Sequence, residues 1–371
     1  MTAQSIRLGR FFGIPFGVNY SWFVVFVLIT LSLTTQFRHL HPEWEFVNHL
    51  LFGLITSLLF FVSILLHELG HSVIALHYKI PVKSITLFIF GGVAHIIKEP
   101  EKPSHEFNIA IAGPIISLLL AGIFIGIELL TPITSGTSSL GAWLGYINIV
   151  VALFNLIPGF PLDGGRILRA FIWKRTGNFD RATQISAVIG QIIAYAIIFL
   201  GVWRALTGSI FDGLWIGFVG WFLQNASQYA LVHSRFTATL RGMVAQEAME
   251  TDMLQLPPSM SVAELVEHHL LQAGLHSAYV VDGDDFLGLV TLHEIGSVPK
   301  ERWKSVTLQA VMVPLKDLET VTQNTPIAFV IQVMREKNIS QIPVINKGAL
   351  VGYIGREHMF AIIHDHIKLK T

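Results

Sequence analysis

The sequence predicts a polytopic α-helical membrane domain, with about six spans and a membrane-dipping β-hairpin, followed by a tandem pair of small α/β domains. Three observations predict it. Of 371 residues, 52% are apolar and only 13% charged, with a mean hydropathy of +0.58; a soluble domain carries about twice that share of charge. The charge is also unevenly spread: residues 1–230 hold 13 Lys and Arg with 10 Asp and Glu, and residues 231–371 hold 12 and 15. Finally, the C-terminal part contains two similar units with a period of about 62 residues, which reads as a domain pair rather than a solenoid. Zero net charge and an absence of Cys exclude a basic nucleic-acid footprint, a disulfide scaffold, thiolate zinc sites and thiol nucleophiles.

Apolar runs long enough to cross a bilayer are expected at about 18–36, 50–77, 107–130, 141–158, 184–206 and 209–230. Arg7 and Arg10 ahead of the first resemble the start of a signal peptide, but no small-residue cleavage site follows, so a retained span is expected. Lys and Arg in the N-terminus and successive loops number 2, 1, 4, 0, 5, 1 and 2. That alternation places both termini and the C-terminal pair in the cytoplasm, and a prokaryotic cell (inner) membrane is the expected location. Residues 81–97, PVKSITLFIFGGVAHII, are apolar and β-branched with a Gly91-Gly92 break. They read as a β-hairpin rather than a helix. Such backbone is tolerated at membrane depth only against protein or a water-filled cavity.

The expected boundaries are a membrane domain over 1–230, a linker over 231–241, and soluble domains over 242–300 and 301–371. Each soluble unit reads as a short lead, a helix of about 12 residues, and two strands around a polar turn. The strands are Ser277–Val281 with Phe286–Thr291, and Gln341–Ile345 with Leu350–Ile354.

The second span contains His67-Glu68-Leu69-Gly70-His71. On a helix, residues four apart share a face, so two imidazoles can hold one Zn²⁺ while the Glu reaches an attacking water. Three ionisable groups in five positions of an apolar span require a partner, and a divalent metal supplies one. A hydrolytic zinc site needs a third protein ligand. Asp163, in NLIPGFPLDGGR (155–166), is the candidate: Pro158 and Pro161 end the fourth span, and Gly164-Gly165 free the backbone. Its alternative role is to cap the helix that follows. With the N-terminus inside, spans two and four run in the same direction, which puts His67, His71 and Asp163 on the same side of the membrane.

These motifs resemble the site-2 protease family of intramembrane zinc metalloproteases. The residues that carry the resemblance are HELGH at 67–71, Gly91-Gly92-Val93-Ala94, Ala112-Gly113-Pro114 and NLIPGFPLDGG at 155–165, over roughly residues 13–230. The C-terminal units resemble a pair of cystathionine-β-synthase-type (CBS) domains. The resemblance implies one zinc ion held by His67, His71 and Asp163, Glu68 as general base, and Asn155 as a substrate or oxyanion positioner. The hairpin residues Phe88, Ile89, Phe90, Gly91, Gly92, Val93 and Ala94 would form an edge that pairs with an unwound substrate segment. It implies cleavage in or near the transmembrane segment of a single-span regulatory membrane protein, with the lipid bilayer as surroundings and the CBS pair regulating the enzyme or dimerising it as a homodimer. An adenine nucleotide at the pair would use Thr291 and Glu294, although Glu stands where the family pattern has Asp. A CBS-gated transporter or channel is the alternative, and it has no need of a Glu beside two zinc-binding histidines.

Overall fold

The structure is a computed structural model that describes residues 5–89, 91–240, 242–270, 277–356 and 358–359. It divides into two compact units, Met1–Ser234 and Arg235–Thr371.

The helices up to residue 240 are α1 (Tyr20–Leu40), α2 (Phe46–His77), α3 (Pro103–Leu130), α4 (Gly136–Asn155), the short polar α5 (Asp163–Thr176), α6 (Phe179–Leu206) and α7 (Ile210–Leu240). Among the described residues, α1, α2, α3, α4 and α6 are long and apolar enough to cross a membrane. The sixth expected span forms a helix, α7, but is not among them; Asp212, Gln224 and Asn225 dilute its apolar run. The helix continues to Leu240, so residues 231–240, expected as a linker, are helical. Leu33, Phe37, Phe124, Leu140 and Leu144 form a buried core contributed by α1, α3 and α4. Small and hydroxyl residues let the first two helices approach closely: Thr30 and Ser57 hydroxyls lie 2.7 Å apart. Each such group must find a partner inside the protein, because lipid offers none.

The segment expected as a hairpin is one: β3 (Val82–Phe88) pairs antiparallel with β4 (Gly91–Ile96), with Thr86 opposite Val93 and Leu87 opposite Gly92. The N-terminus adds an unexpected second hairpin, β1 (Ser5–Phe11) and β2 (Ile14–Asn19). Its turn sits at Phe12 and Gly13, both with positive φ (48° and 78°). β2 runs parallel to β3, giving a four-stranded sheet in the order β1-β2-β3-β4, with β4 at one edge. The paired residues of β2 and β3, such as Phe16 and Ile85, are 69 positions apart in sequence, which is why the short Ile14–Asn19 run gives no signal by itself.

The second unit contains two small sheets. β6 (Ser277–Asp282) and β7 (Asp285–Thr291) form one antiparallel pair, and β10 (Gln341–Asn346) and β11 (Ala349–Gly355) the other. Short strands β5 (Gln255–Leu256) and β9 (Val321–Thr322) add parallel to β6 and β10, and β8 (Val313–Pro314) adds to β7. The lead helix of the second repeat spans Ile327–Glu336. In the first repeat, Val262–Leu265 is α-helical and Val266–Leu270 a π-turn. The two halves of the repeat meet: Ser277 Oγ donates to Gln341 Oε1, the equivalent position, at 3.1 Å, and the rings of Tyr279 and Tyr353 lie 5.5 Å apart. Tyr353 donates to Glu250 Oε2 at 3.0 Å, and partial burial with that neighbouring carboxylate pushes its phenol up to about 12.

Candidate metal centre

The centre is assembled from α2, α3, α5 and the edge of the sheet. His67 and His71 lie one turn apart on the buried stripe of α2, at 4% and 3% exposure. Asp163 is the first residue of α5 and 9% exposed. The N-cap of that helix is Leu162, which makes no side-chain cap. The Asp163 carboxylate therefore serves another purpose: its Oδ2 lies 3.1 Å from Nε2 of both histidines. The two Nε2 atoms are 3.2 Å apart.

The chemistry of this donor set decides what it can hold. His71 donates from Nδ1 to the Ile109 carbonyl at 2.6 Å, so its Nε2 presents a lone pair. His67 Nδ1 lies 2.9 Å from Ser117 Oγ; donation there leaves its Nε2 as a lone pair too. An ionised carboxylate only accepts. With both imidazoles in that tautomer, three acceptors converge, and a cation satisfies all three. A tetrahedral zinc ion with bonds near 2.0 Å places its ligand atoms roughly 3.3 Å apart, close to the 3.1–3.2 Å found here. The residues fit zinc.

Glu68 adjoins this group, and its Oε2 accepts from the backbone N–H of Ala94 at 3.2 Å. Gly92 passes so close that a Cβ there would lie 2.5 Å from Glu68 Cγ. The hairpin is therefore docked on the candidate base through Gly92 and Ala94. Gly92→Ala is expected to leave zinc content unchanged and lower cleavage by about 10²-fold, the usual cost of misplacing a reacting group by about 1 Å. Metal analysis beside a cleavage assay checks this.

The other expected residues are placed as follows. Ile89 and Val93 are exposed, and the Ile89 N–H donates to Ser21 Oγ at 3.3 Å. Phe88 and Gly91 pair across the turn. Phe90 lies outside the described residues. Asn155 donates from Nδ2 to the Val151 carbonyl at 3.0 Å, one turn back in α4. Thr291 and Glu294 serve each other in a capping box: Glu294 Oε2 accepts from the Thr291 N–H at 3.0 Å and from its hydroxyl.

Three residues that shape the centre escaped sequence reasoning about the site. Ser117 and Ile109 orient the imidazoles from behind. Gly113 makes room for them: a Cβ there would lie 2.2 Å from His71 Nε2 and 2.6 Å from His67 Nε2. Ser117 carried a signal, a hydroxyl four residues after Gly113 in an apolar span. The Ile109 carbonyl carried none.

Comparison with known proteins then decides the family. A protein of Synechocystis sp., named as a candidate zinc metalloprotease, is 35% identical over 95% of this chain and 93% of its own length. The model of Peptidase family M50 matches residues 55–133 and 128–199. The chain belongs to Peptidase family M50, the site-2 proteases. This M50 protease is also 29% identical to a zinc metalloprotease of Methanocaldococcus jannaschii, over 95% of this chain and 94% of that one. A solved site-2 protease from the same organism is similar at 29% identity, covering 61% of this chain and 95% of that one, with a TM-score of 0.43. The CBS domain model matches 244–298 and 309–365, so the M50 protease carries a CBS pair.

Proposed function

We propose that this metalloprotease hydrolyses peptide bonds in or near the transmembrane segment of a membrane-anchored regulatory protein. The observation that carries the reading is the convergence of three acceptor atoms, from His67, His71 and Asp163, beside a carboxylate held at a strand edge. His67, His71 and Asp163 would hold the zinc, which when bound would supply a Lewis acid to polarise the scissile carbonyl and acidify the attacking water. Glu68 accepts a proton from the attacking water and passes it to the leaving amine nitrogen. The edge of β4 supports substrate pairing: an extended segment added there presents its backbone next to Glu68, and unwinding exposes a carbonyl that a helix would conceal. Asn155 keeps its Oδ1 and a second N–H for substrate contact. Both termini and the CBS pair are assigned to the cytoplasm, and the pair to a regulatory or dimerising role. Thr291 and Glu294 are engaged in helix capping, so their side chains give a nucleotide no support.

The test is cleavage of a reconstituted single-span protein by the purified full chain. A cut in or beside the span is expected, stopped by a zinc chelator and restored by zinc. Undiminished cleavage by metal-free protein would overturn the reading.

A further inference from the structure

We propose that Glu106 is a positioning residue of the metal centre, which sets Asp163 against the two histidines by clamping α5 to α3. The proposal rests on His67, His71 and Asp163 being the zinc ligands. Glu106 lies in the first turn of α3 and is completely buried. Its Oε1 accepts from Arg166 Nε at 3.0 Å and from Arg169 Nη2. Both arginines belong to α5, three and six residues beyond Asp163. Arg169 is buried in turn, its guanidinium 4.9 Å from the Phe160 ring centroid and 4.6 Å from that of Phe179. Those aromatic walls restrict the guanidinium, and the shared carboxylate oxygen restricts both arginines.

Such a cluster is a poor device for stability. Burying Glu106 and Arg169, with Arg166 partly buried beside them, costs several kcal/mol per ion taken from water, and apolar replacements of similar volume often serve as well. Glu106 Oε2 and Arg169 Nε are left without a hydrogen-bond partner. What the cluster provides is orientation. Arg166 stands one turn from Asp163, so a shift of α5 along α3 carries Asp163 Oδ2 out of its 3.1 Å approach to both imidazoles.

The clamp also completes a pattern. Ser117 and Ile109 of α3 hold the far nitrogens of His67 and His71, and Gly113 of α3 clears the space in front of them. With Glu106 holding the helix that starts at Asp163, α3 orients all three ligands while supplying none.

Glu106→Asp tests this in the purified full chain, because it keeps the charge and shortens the reach by one methylene. Competition with a chromophoric chelator should show zinc binding weakened about 10–100-fold, the usual cost of losing support behind a ligand. The visible bands of the cobalt-substituted protein should change, while the thermal midpoint of the metal-free protein stays close to the parent's. Arg166→Lys should act in the same direction and decides the matter where Glu106→Asp fails to fold. Arg204→Gln, which breaks the exposed 3.8 Å pair with Asp212, should change neither readout. Parental zinc affinity and an unchanged cobalt spectrum in the Glu106 and Arg166 variants would overturn the clamp. So would an affinity loss matched by an equal loss of metal-free stability. A parent protein that binds neither zinc nor cobalt overturns the metal reading itself, and the clamp with it.

Discussion

Glu68→Gln is expected to abolish cleavage while zinc stays bound at the parental level. The amide has the shape of the carboxylate, and its oxygen can still accept from the Ala94 N–H that Glu68 Oε2 holds at 3.2 Å. None of the three metal-facing atoms belongs to residue 68. What disappears is the ability to take a proton, which is worth about 10²–10⁴-fold in rate for a placed general base. Metal analysis and cleavage of the same single-span test protein are measured on one preparation. Cleavage within a few-fold of the parent would remove Glu68 from the role of base. Zinc lost together with activity would instead make residue 68 part of the metal's support.

Gly113→Ala is expected to have the opposite signature, with activity lost because metal is lost. The added methyl carbon would fall 2.2 Å from His71 Nε2 and 2.6 Å from His67 Nε2, the two atoms that face the metal. These are inside van der Waals contact, and neither ring can simply swing away. His71 is tied to the Ile109 carbonyl at 2.6 Å and His67 to Ser117 Oγ at 2.9 Å. Turning either ring breaks a buried hydrogen bond, and keeping both displaces α3 from α2. Zinc affinity should fall by more than about 100-fold, beyond the usual loss on changing a residue behind a ligand. Gly126→Ala is the control on the same helix, since a Cβ there meets nothing within 4 Å. A Gly113→Ala protein with full zinc content would show that the centre is looser than the structure describes.

Much of this was legible in sequence because its signals are local. Apolar runs longer than a bilayer is thick marked the helices α1 to α4 and α6. The i, i+4 spacing fixed His67 and His71 on one face before any fold was known, and the short alternating runs of the C-terminal units marked β6, β7, β10 and β11. Other features had no local signal. The N-terminal hairpin is held by a parallel partner that follows an intervening pair of helices. The helix α7 fell short of a span's hydropathy although it is a continuous helix. Asn155 bonds within its own helix, a choice made by the side chain and not by the motif it sits in.

The sequence by itself determined the residue types proposed to bind metal, their spacing, and their place in a long apolar helix, because helical periodicity and the cost of charge in lipid act at short range. It could name Asp163 only as a candidate, since capping the next helix explained the same residue. Tertiary structure gives the cap position to Leu162 and brings the Asp163 oxygen to 3.1 Å from both imidazoles, the arrangement that the proposed ligand role needs. It also revealed α3 as the helix that makes the centre possible, through a carbonyl, a hydroxyl, a missing side chain and a buried carboxylate. None of these has meaning until helices distant in sequence are packed, because each acts on a neighbour tens of residues away.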